Sequence, residues 1–534
     1  MKKTICILVV ILCMLSGASA QVSTGIMEAA WGEDFVGVKK LRLSEIIGSD
    51  ESGIYALQQK RPDRSSRKNK FALNRFDADM SLEKSVVLNL EEQGKKKRFE
   101  FVVLFHGEIL LFTSYNNQKL KKKFLFKQKV NTNTLLVEGD SEKIAEIDYK
   151  GFSKFNSGAY KYRLSRDSSK FLVYYDLPYK RNESEKFGYQ VFDESFNQIW
   201  ERNITLPYTD GLFDVERVRI DNFGDVHLLG LIYKDRRKEK RKGKPNYKYQ
   251  LLSYRNNGED FIEYPIEIKG KFITDMQITI NEDRDIICGG YYSNIGGFNI
   301  KGAYFLKIDD ETGSVLNESV KDFGIGFMAS NLRKGAKKRT KKKAKKGKNV
   351  EMKHYHLDNI IIKDDGGAVL LGEQFYISEV TTSSTSSSGI VSYRTKRYAN
   401  YNHIIAVNMS ANGEILWAKK IAKRQKTYET MDLFSSYALS IYKDKMFFIF
   451  NDAIQNLDYK DDGRVVNFSI SKKSIITCVE LNSEGEQKRK ALFSTKERGV
   501  WILPKVCRQI SDDTIILYGH NRKKQRFAKV TVVE

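Results

Sequence analysis

Eleven of the sixteen residues from Arg333 to Lys348 are Lys or Arg, and none is acidic. Arg333, Lys334, Lys337, Lys338, Arg339, Lys341, Lys342, Lys343, Lys345, Lys346 and Lys348 repel one another, and the chemistry they offer is capture of an anion. A second cluster, Arg236, Arg237, Lys238, Lys240, Arg241 and Lys242, offers the same. The whole chain carries 91 Lys and Arg against 67 Asp and Glu, a formal net charge of +24, which becomes +22 once Lys2 and Lys3 are removed. Nucleic acid is the usual partner of such clusters, but no aromatic residues interleave the run to stack bases. An acidic protein, an anionic envelope surface or an acidic polysaccharide is the expected partner; each cation near an anionic membrane contributes roughly 1 kcal/mol.

Covalent and metal chemistry find less support. His354 and His356 stand at i and i+2, on one side of a strand that begins there, and start a zinc site for which no third ligand follows at a convincing spacing. The acid-rich turns Asp221-Asn222-Phe223-Gly224-Asp225 and Asp309-Asp310-Glu311-Thr312-Gly313 lack the bidentate Glu of an EF-hand, and Asp, Asn and Gly are the ordinary residues of hairpin turns. There is no G-x-S-x-G elbow, no H-E-x-x-H and no phosphate-binding G-x-x-x-x-G-K-[ST]. Ser165-Arg166-Asp167-Ser168-Ser169 approaches the sialidase turn repeat but lacks its Gly and Trp. The reading is of no catalytic residue, no metal and no cofactor, with a hydrolase or lyase acting on an acidic glycan as one alternative and a secreted globular protein whose charge is merely solvated as the other.

The elements that must carry the basic runs are short strands in repeats. Leu357 to Lys420 reads as four strands, with turns at Lys363 to Gly367 and Ser410 to Glu414, where Asn412-Gly413 supplies positive φ angles. The same grammar recurs in Leu164 to Asn203, Val215 to Ile268 and Met276 to Val320. Repetition at about 50 to 60 residues, each copy four strands, predicts an all-β chain and a single β-propeller, because one such sheet cannot bury both faces alone. Eight blades are expected, with seven as the alternative: Leu41 to Leu90, Phe99 to Ile147, Tyr160 to Thr205, Val215 to Ile268, Phe272 to Phe323, Leu357 to Lys420, Ala438 to Phe493, and a last set of three strands at Ile502 to Gln509, Thr514 to Tyr518 and Phe527 to Val532. An unpaired edge on that last set is a liability, and the segment Gly25 to Gly37 is expected to cover it. Residues 324–354 read as a basic flexible insertion and 378–400 as a Ser/Thr-rich one.

Strand direction reverses at every turn, so the first and third turns of each blade share one face and the middle turns and links share the other. First and third turns are acid-rich. Middle turns and links are basic, including Lys60 to Lys70, Lys95 to Arg98, Lys119 to Lys123, Lys234 to Lys244, Lys423, Arg424 and Lys426, and Arg522 to Arg526. The molecule should be electrically polar.

Met1-Lys2-Lys3, the apolar run Ile5 to Leu15 and Ala18-Ser19-Ala20 describe a signal peptide over residues 1–20, too short for the roughly 20 residues that span a bilayer. Residues 21–534 are then expected in the periplasm or outside the cell. Cys288, Cys478 and Cys507 read as buried thiols, Cys478 and Cys507 being the pair in adjacent blades.

The units FLKIDDETGSVL (Phe305 to Leu316) and IAVNMSANGEILW (Ile405 to Trp417) resemble the repeat of quinoprotein-type propellers, A-x-D-x-x-T-G-x-x-x-W, in which Gly makes the turn and Trp docks on the next blade. The Trp of that repeat is present at Trp200 and Trp417. The resemblance implies an extracytoplasmic propeller. Its non-enzymatic relatives include the periplasmic eight-bladed scaffold of the outer-membrane protein assembly machine, which implies a scaffold role.

Overall fold

The computed structural model describes residues 22–23, 25–60, 70–153, 157–180, 182–297, 299–460, 464–471, 473–521 and 524–533. The signal peptide read at 1–20, and Arg61, Arg64, Arg67, Lys68, Arg522 and Lys523 of the basic turns, lie outside the described residues.

The fold is all-β and propeller-like. Among the described residues, eight antiparallel sheets hold four or more strands each, and three further pairs are two-stranded. In chain order, sheet one runs from Arg42 to Val87, two from Arg98 to Asp148, three from Tyr160 to Thr209, four from Phe213 to Ile266, five from Phe272 to Asp322, six from Tyr355 to Ile421 and seven from Ala438 to Ser494. In sheet eight, Thr514–His520 and Gln525–Val532 pair with each other, and Met27–Trp31 adds antiparallel to the latter, Met27 opposite Val532 and Trp31 opposite Ala528.

Sequence explains which strands lie where. Second and third strands such as Ile286–Ser293 and Ser474–Leu481 are apolar almost throughout and buried at every residue, as strands covered on both faces must be. Fourth strands such as Val315–Asp322 are richer in polar residues and bury none of them fully.

The apolar side chains gather between successive sheets. Leu57 packs with Leu111, Phe112 with Val173, Val191 with Leu228, Leu251 with Ile278, Phe305 with Leu370, Leu371 with Phe448, and Phe447 with Leu517. An eighth cluster sets Ile516 and Phe527 of sheet eight against Ile46 and Phe76 of sheet one, with the Phe76 and Phe527 rings edge to face at 4.7 Å. Each fully buried Leu, Ile or Phe contributes about 1.5–3 kcal/mol to this packing.

The first and third turns repeat one design. Asp221, Ser410 and Asn482 each accept the amide of the Gly three residues on, Gly224, Gly413 and Gly485. The Gly takes positive φ, +79° at Gly413, while Asn412 stays negative. This is a tight turn followed by a one-residue bulge rather than a turn with two left-handed residues.

Three expectations change. The first strand of sheet eight is broken into Trp501–Ile502 and Arg508–Gln509, because Pro504 lacks the amide that a ladder needs. The Ser/Thr tract is not a loop: strands Ala368–Thr385 and Val391–Met409 of sheet six continue through it as a long hairpin. Thr381 pairs hydroxyl to hydroxyl with Thr395 at 2.9 Å and Ser384 with Ser392 at 2.8 Å, so β-branched and hydroxyl side chains stabilise a ladder that composition alone reads as flexible. The basic run forms a helix.

Candidate anion-binding face

Two helices link sheets five and six: α1, Ile325–Ala329, and α2, Lys334–Lys345. Lys, Arg and Ala are strong helix formers, and Gly347, at φ +66°, closes α2 by donating to Ala344 O at 2.9 Å. Charge repulsion alone predicts an irregular run, and it loses here to propensity and a glycine cap. The link is fixed at α1, where Phe323 and Met328 pack with Tyr291, Ile300 and Met352. Lys420 donates to Phe327 O at 2.7 Å across the end of α1, and burial lowers its ammonium to about 7.

α2 buries no residue. Its like charges recur at i and i+4, as at Lys337 and Lys341 or Lys338 and Lys342, each pair costing about 0.2–0.5 kcal/mol. Among the described residues, none of the eleven Lys and Arg side chains from Arg333 to Lys348 has a carboxylate partner.

The second predicted cluster divides. Arg237 pairs with Asp214 at 2.8 Å and donates to Phe213 O at 2.8 Å, and Arg241 pairs with Asp235 at 3.0 Å. Both hold the loop between the second and third strands of sheet four. Lys240 sits over the Phe272 ring at 5.4 Å. Arg236, Lys238 and Lys242 have no ion-pair partner among the described residues. This loop and the helical link share one face. Glu239 accepts the Gly297 amide, and the turn that follows pairs Asn299 with Lys353 and Ile300 with Met352, immediately after α2. Around sheets one and two some of the predicted basic-turn residues are neutralised: Lys122 pairs with Glu146 at 2.6 Å, Lys123 with Glu100 at 3.4 Å, and Lys97 with Glu92, while Lys60, Lys70, Lys95, Lys96, Arg98, Lys119 and Lys121 have no ion-pair partner among the described residues. Lys423 is wholly buried between sheets six and seven, 2.5 Å from Glu373, and is not a surface cation at all. The densest run of unpaired cations among the described residues is therefore α2, with Arg236, Lys238 and Lys242 on the same face.

On the opposite face several carboxylates serve the turns. Asp310 meets Arg255 at 3.1 Å, Asp225 meets Arg284 at 2.6 Å, Asp285 meets Lys307 at 2.7 Å and Asp221 meets His227 at 3.2 Å. Asp193 and Asp309 accept amides of their own turns, which hold both carboxyls below the usual range. Trp200 donates to Gly224 O at 3.1 Å and Trp417 to Ser483 O at 2.7 Å, each reaching the next sheet. A cavity of about 880 Å³ opens among the first turns of sheets three to seven. Its walls include Ile220, Ile278, Ile360 and Ile441, and its polar lining includes Arg163, Arg219, Lys363 and Asp364.

The first strands carry polar groups that sequence reading missed. Asp275 accepts the Leu357 amide at 2.7 Å and the Met276 amide at 2.9 Å, yet burial raises it to about 6. Asp358 accepts the Tyr437 hydroxyl at 2.9 Å; enclosure and then Glu373 raise it to about 7. Asp358 is the extra residue of a bulge between Leu357 and Asn359, as are Thr274 in sheet five and Glu216 in sheet four. The second strands answer with Gly372, Gly290 and Gly230. A Cβ at Gly290 would meet Asp275 O at 2.1 Å, and one at Gly372 would meet His356 O at 2.7 Å. The recurring apolar-apolar-Gly of Leu370-Leu371-Gly372 and Leu228-Leu229-Gly230 is the sequence signal for those bulges.

His354 and His356 do not share a strand side. His354 precedes the strand at φ +61° and lies against Tyr376, while His356 lies against Phe375. Cys288, Cys478 and Cys507 are free thiols, and Cys478 approaches Met27 Sδ at 3.7 Å rather than Cys507. No helix among the described residues is long and apolar enough to cross a membrane.

No protein-family model and no curated protein matches the chain. Among solved structures it is similar to the WD40 domain of SCAP from fission yeast, with 8% identity, coverage of 95% of this chain and 98% of that one, and a TM-score of 0.39. It is also similar to the polysaccharide lyase Uly1, at 10% identity, 83% and 94% coverage and a TM-score of 0.33. A variant of Synechocystis apocarotenoid oxygenase stands at 9% identity, 95% and 93% coverage and a TM-score of 0.34. Likenesses this distant carry nothing about function.

Proposed function

We propose that the chain is an exported, non-catalytic propeller of eight blades, the last completed by Met27–Trp31, whose basic face docks an anionic surface or an acidic protein. The succession of core clusters from one sheet to the next, with sheet eight against sheet one, supports the ring. The docking of Trp200 and Trp417 on neighbouring sheets supports a repeat of the quinoprotein type. The observation that carries the function is the concentration of unpartnered charge in one element: Asp310, Asp225 and Asp285 on one face are paired with cations, whereas the eleven cations from Arg333 to Lys348 on the other have no carboxylate partner among the described residues. A partner gains their attraction without first breaking ion pairs, and the attraction weakens with salt because it is exposed.

A second reading is a hydrolase or lyase acting on an acidic glycan. Asp358, held near neutrality, has the protonation range of a general acid. Both Asp275 and Asp358 are engaged in bonds that join first strands or neighbouring blades, which favours the structural role.

The test is binding of residues 21–534, with and without 333–348, to anionic vesicles, an acidic polysaccharide and neutral controls across a salt series. Salt-sensitive binding that drops on deletion is the expected result. Equal binding to neutral and anionic surfaces, or none to either, would overturn the reading.

A further inference from the structure

At the root of α2 the basic face has a pocket of about 150 Å³. Three guanidinium side chains from separate stretches line it: Arg333 at the start of α2, Arg424 in the link from sheet six to sheet seven, and Arg464 in the segment between the second and third strands of sheet seven. The stretches are tied together, since Phe468 N donates to Arg424 O at 2.8 Å and Gln425 bridges to Phe468. Among the described residues none of the three Arg side chains has an ion-pair or hydrogen-bond partner. Their charges act on one another: after burial, Arg333 and Arg464 are what lower Arg424 from its ordinary value.

The rest of the lining adds donors. Asn331 holds its backbone at φ +62°, and its Nδ2 is buried with no hydrogen-bond partner. His403 is kept neutral, lowered to about 3 by burial and by Lys420, Lys423, Arg424 and Arg489. Its Nδ1 accepts the Lys423 amide at 3.5 Å, which assigns the proton to Nε2. No side chain caps the first turn of α2, whose amides add the positive end of the helix dipole.

A convergence of cations with no counter-ion among the described residues is a cost that a bound anion removes. The volume is below the roughly 300–1,000 Å³ of pockets that enclose drug-sized ligands, so the pocket fits a single small group rather than a sugar ring or a base. Guanidinium forks match the oxygens of a phosphoryl group two at a time. We propose that Arg333, Arg424 and Arg464, with Asn331, form a receptor for a terminal phosphoryl group. This names what the basic face recognises, and it rests on the docking reading for its setting.

Titration calorimetry of the whole protein with inorganic phosphate, and with acetate as control, tests the pocket. Vesicles bearing phosphomonoester headgroups, compared with diester headgroups at matched charge, distinguish a lipid source from free phosphate. Saturable one-to-one phosphate binding is expected, at least tenfold weaker in Arg333→Gln/Arg464→Gln; both side chains are exposed, so the core is left intact. Arg424→Lys, which keeps the charge and loses the fork, should weaken binding severalfold. Phosphate binding no tighter than acetate, or unchanged in the double variant, would overturn the proposal. Vesicle binding that persists undiminished in the double variant and ignores the headgroup would overturn it too while leaving face docking in place. Phosphate binding without vesicle binding would sustain the pocket and remove a lipid surface from the docking reading.

Discussion

The two faces of the sheets use charge in opposite ways. Asp310 is 5% exposed, paired with Arg255 and approached by the Tyr264 hydroxyl at 3.3 Å; Lys341, in the middle of α2, is exposed and has no partner among the described residues. A buried, partnered charge is part of the fold, because removing its partner strands it in a poor solvent. An exposed, unpartnered charge contributes little to the fold and remains available to something outside it. Asp310 and its like are therefore part of the fold while the cations of α2 are not, although Asp79, Glu282, Asp283, Glu311 and Asp364 are exposed carboxylates that also have no ion-pair partner among the described residues.

Four variants bear on this contrast. Asp310→Ala should cost about 3–5 kcal/mol in urea unfolding by leaving Arg255 unpaired, with polyanion binding unchanged. Stability like that of the unsubstituted chain would make the acidic turns ordinary surface charge. Lys338→Gln/Lys341→Gln/Lys342→Gln/Lys345→Gln should reverse the pattern. Binding to anionic vesicles should fall by up to about 4 kcal/mol, at roughly 1 kcal/mol per cation, while the melting temperature stays within about a degree or rises as repulsion is relieved. A lowered melting temperature would show that α2 supports the fold. Trp417→Phe keeps an aromatic ring, though a smaller one, and loses the bond to Ser483 O, a cost of about 0.5–1.5 kcal/mol for the bond on the turn side, again read by unfolding.

The smallest effect at neutral pH belongs to His403→Gln. His403 is surrounded by Lys420, Lys423, Arg424 and Arg489, and its folded value lies near 3 against an ordinary 6.5. The unfolded chain takes up a proton between those values and the folded chain does not, so this contribution is full above pH 6.5 and is lost as pH falls towards 3. The variant should match the parent at pH 7 and show a flatter acid limb in a stability profile from pH 7 to 4.

Turn chemistry made most of the sheet organisation legible. Asp221, Ser410 and Asn482 with their glycines mark hairpins whether or not the strands between them are known, because a local bond and a local φ decide them. What depends on distant residues was not legible. Lys423 reads as one more basic link residue until Glu373, 50 positions away, is found beside it. Arg333, Arg424 and Arg464 share a pocket only because two links and a long turn converge there. The Ser/Thr hairpin and α2 were misjudged for another reason: composition measures how poorly a segment builds a core, and both are surface elements held by cross-strand hydroxyl pairs or a glycine cap instead.

The pairing of Met27–Trp31 with Gln525–Val532 also sets an order of events. Neighbouring sheets can assemble as each stretch of chain becomes available, but this ladder joins strands from opposite ends of the described chain, and its loop-closure entropy is the largest in the molecule. It is the step least able to form early. Until it forms, the apolar edge of Gln525–Val532 is open to any other extended chain. A second molecule's Met27–Trp31 fits that edge as well as its own, so slow closure at high concentration would yield strand-exchanged dimers, with every contact of the monomer preserved.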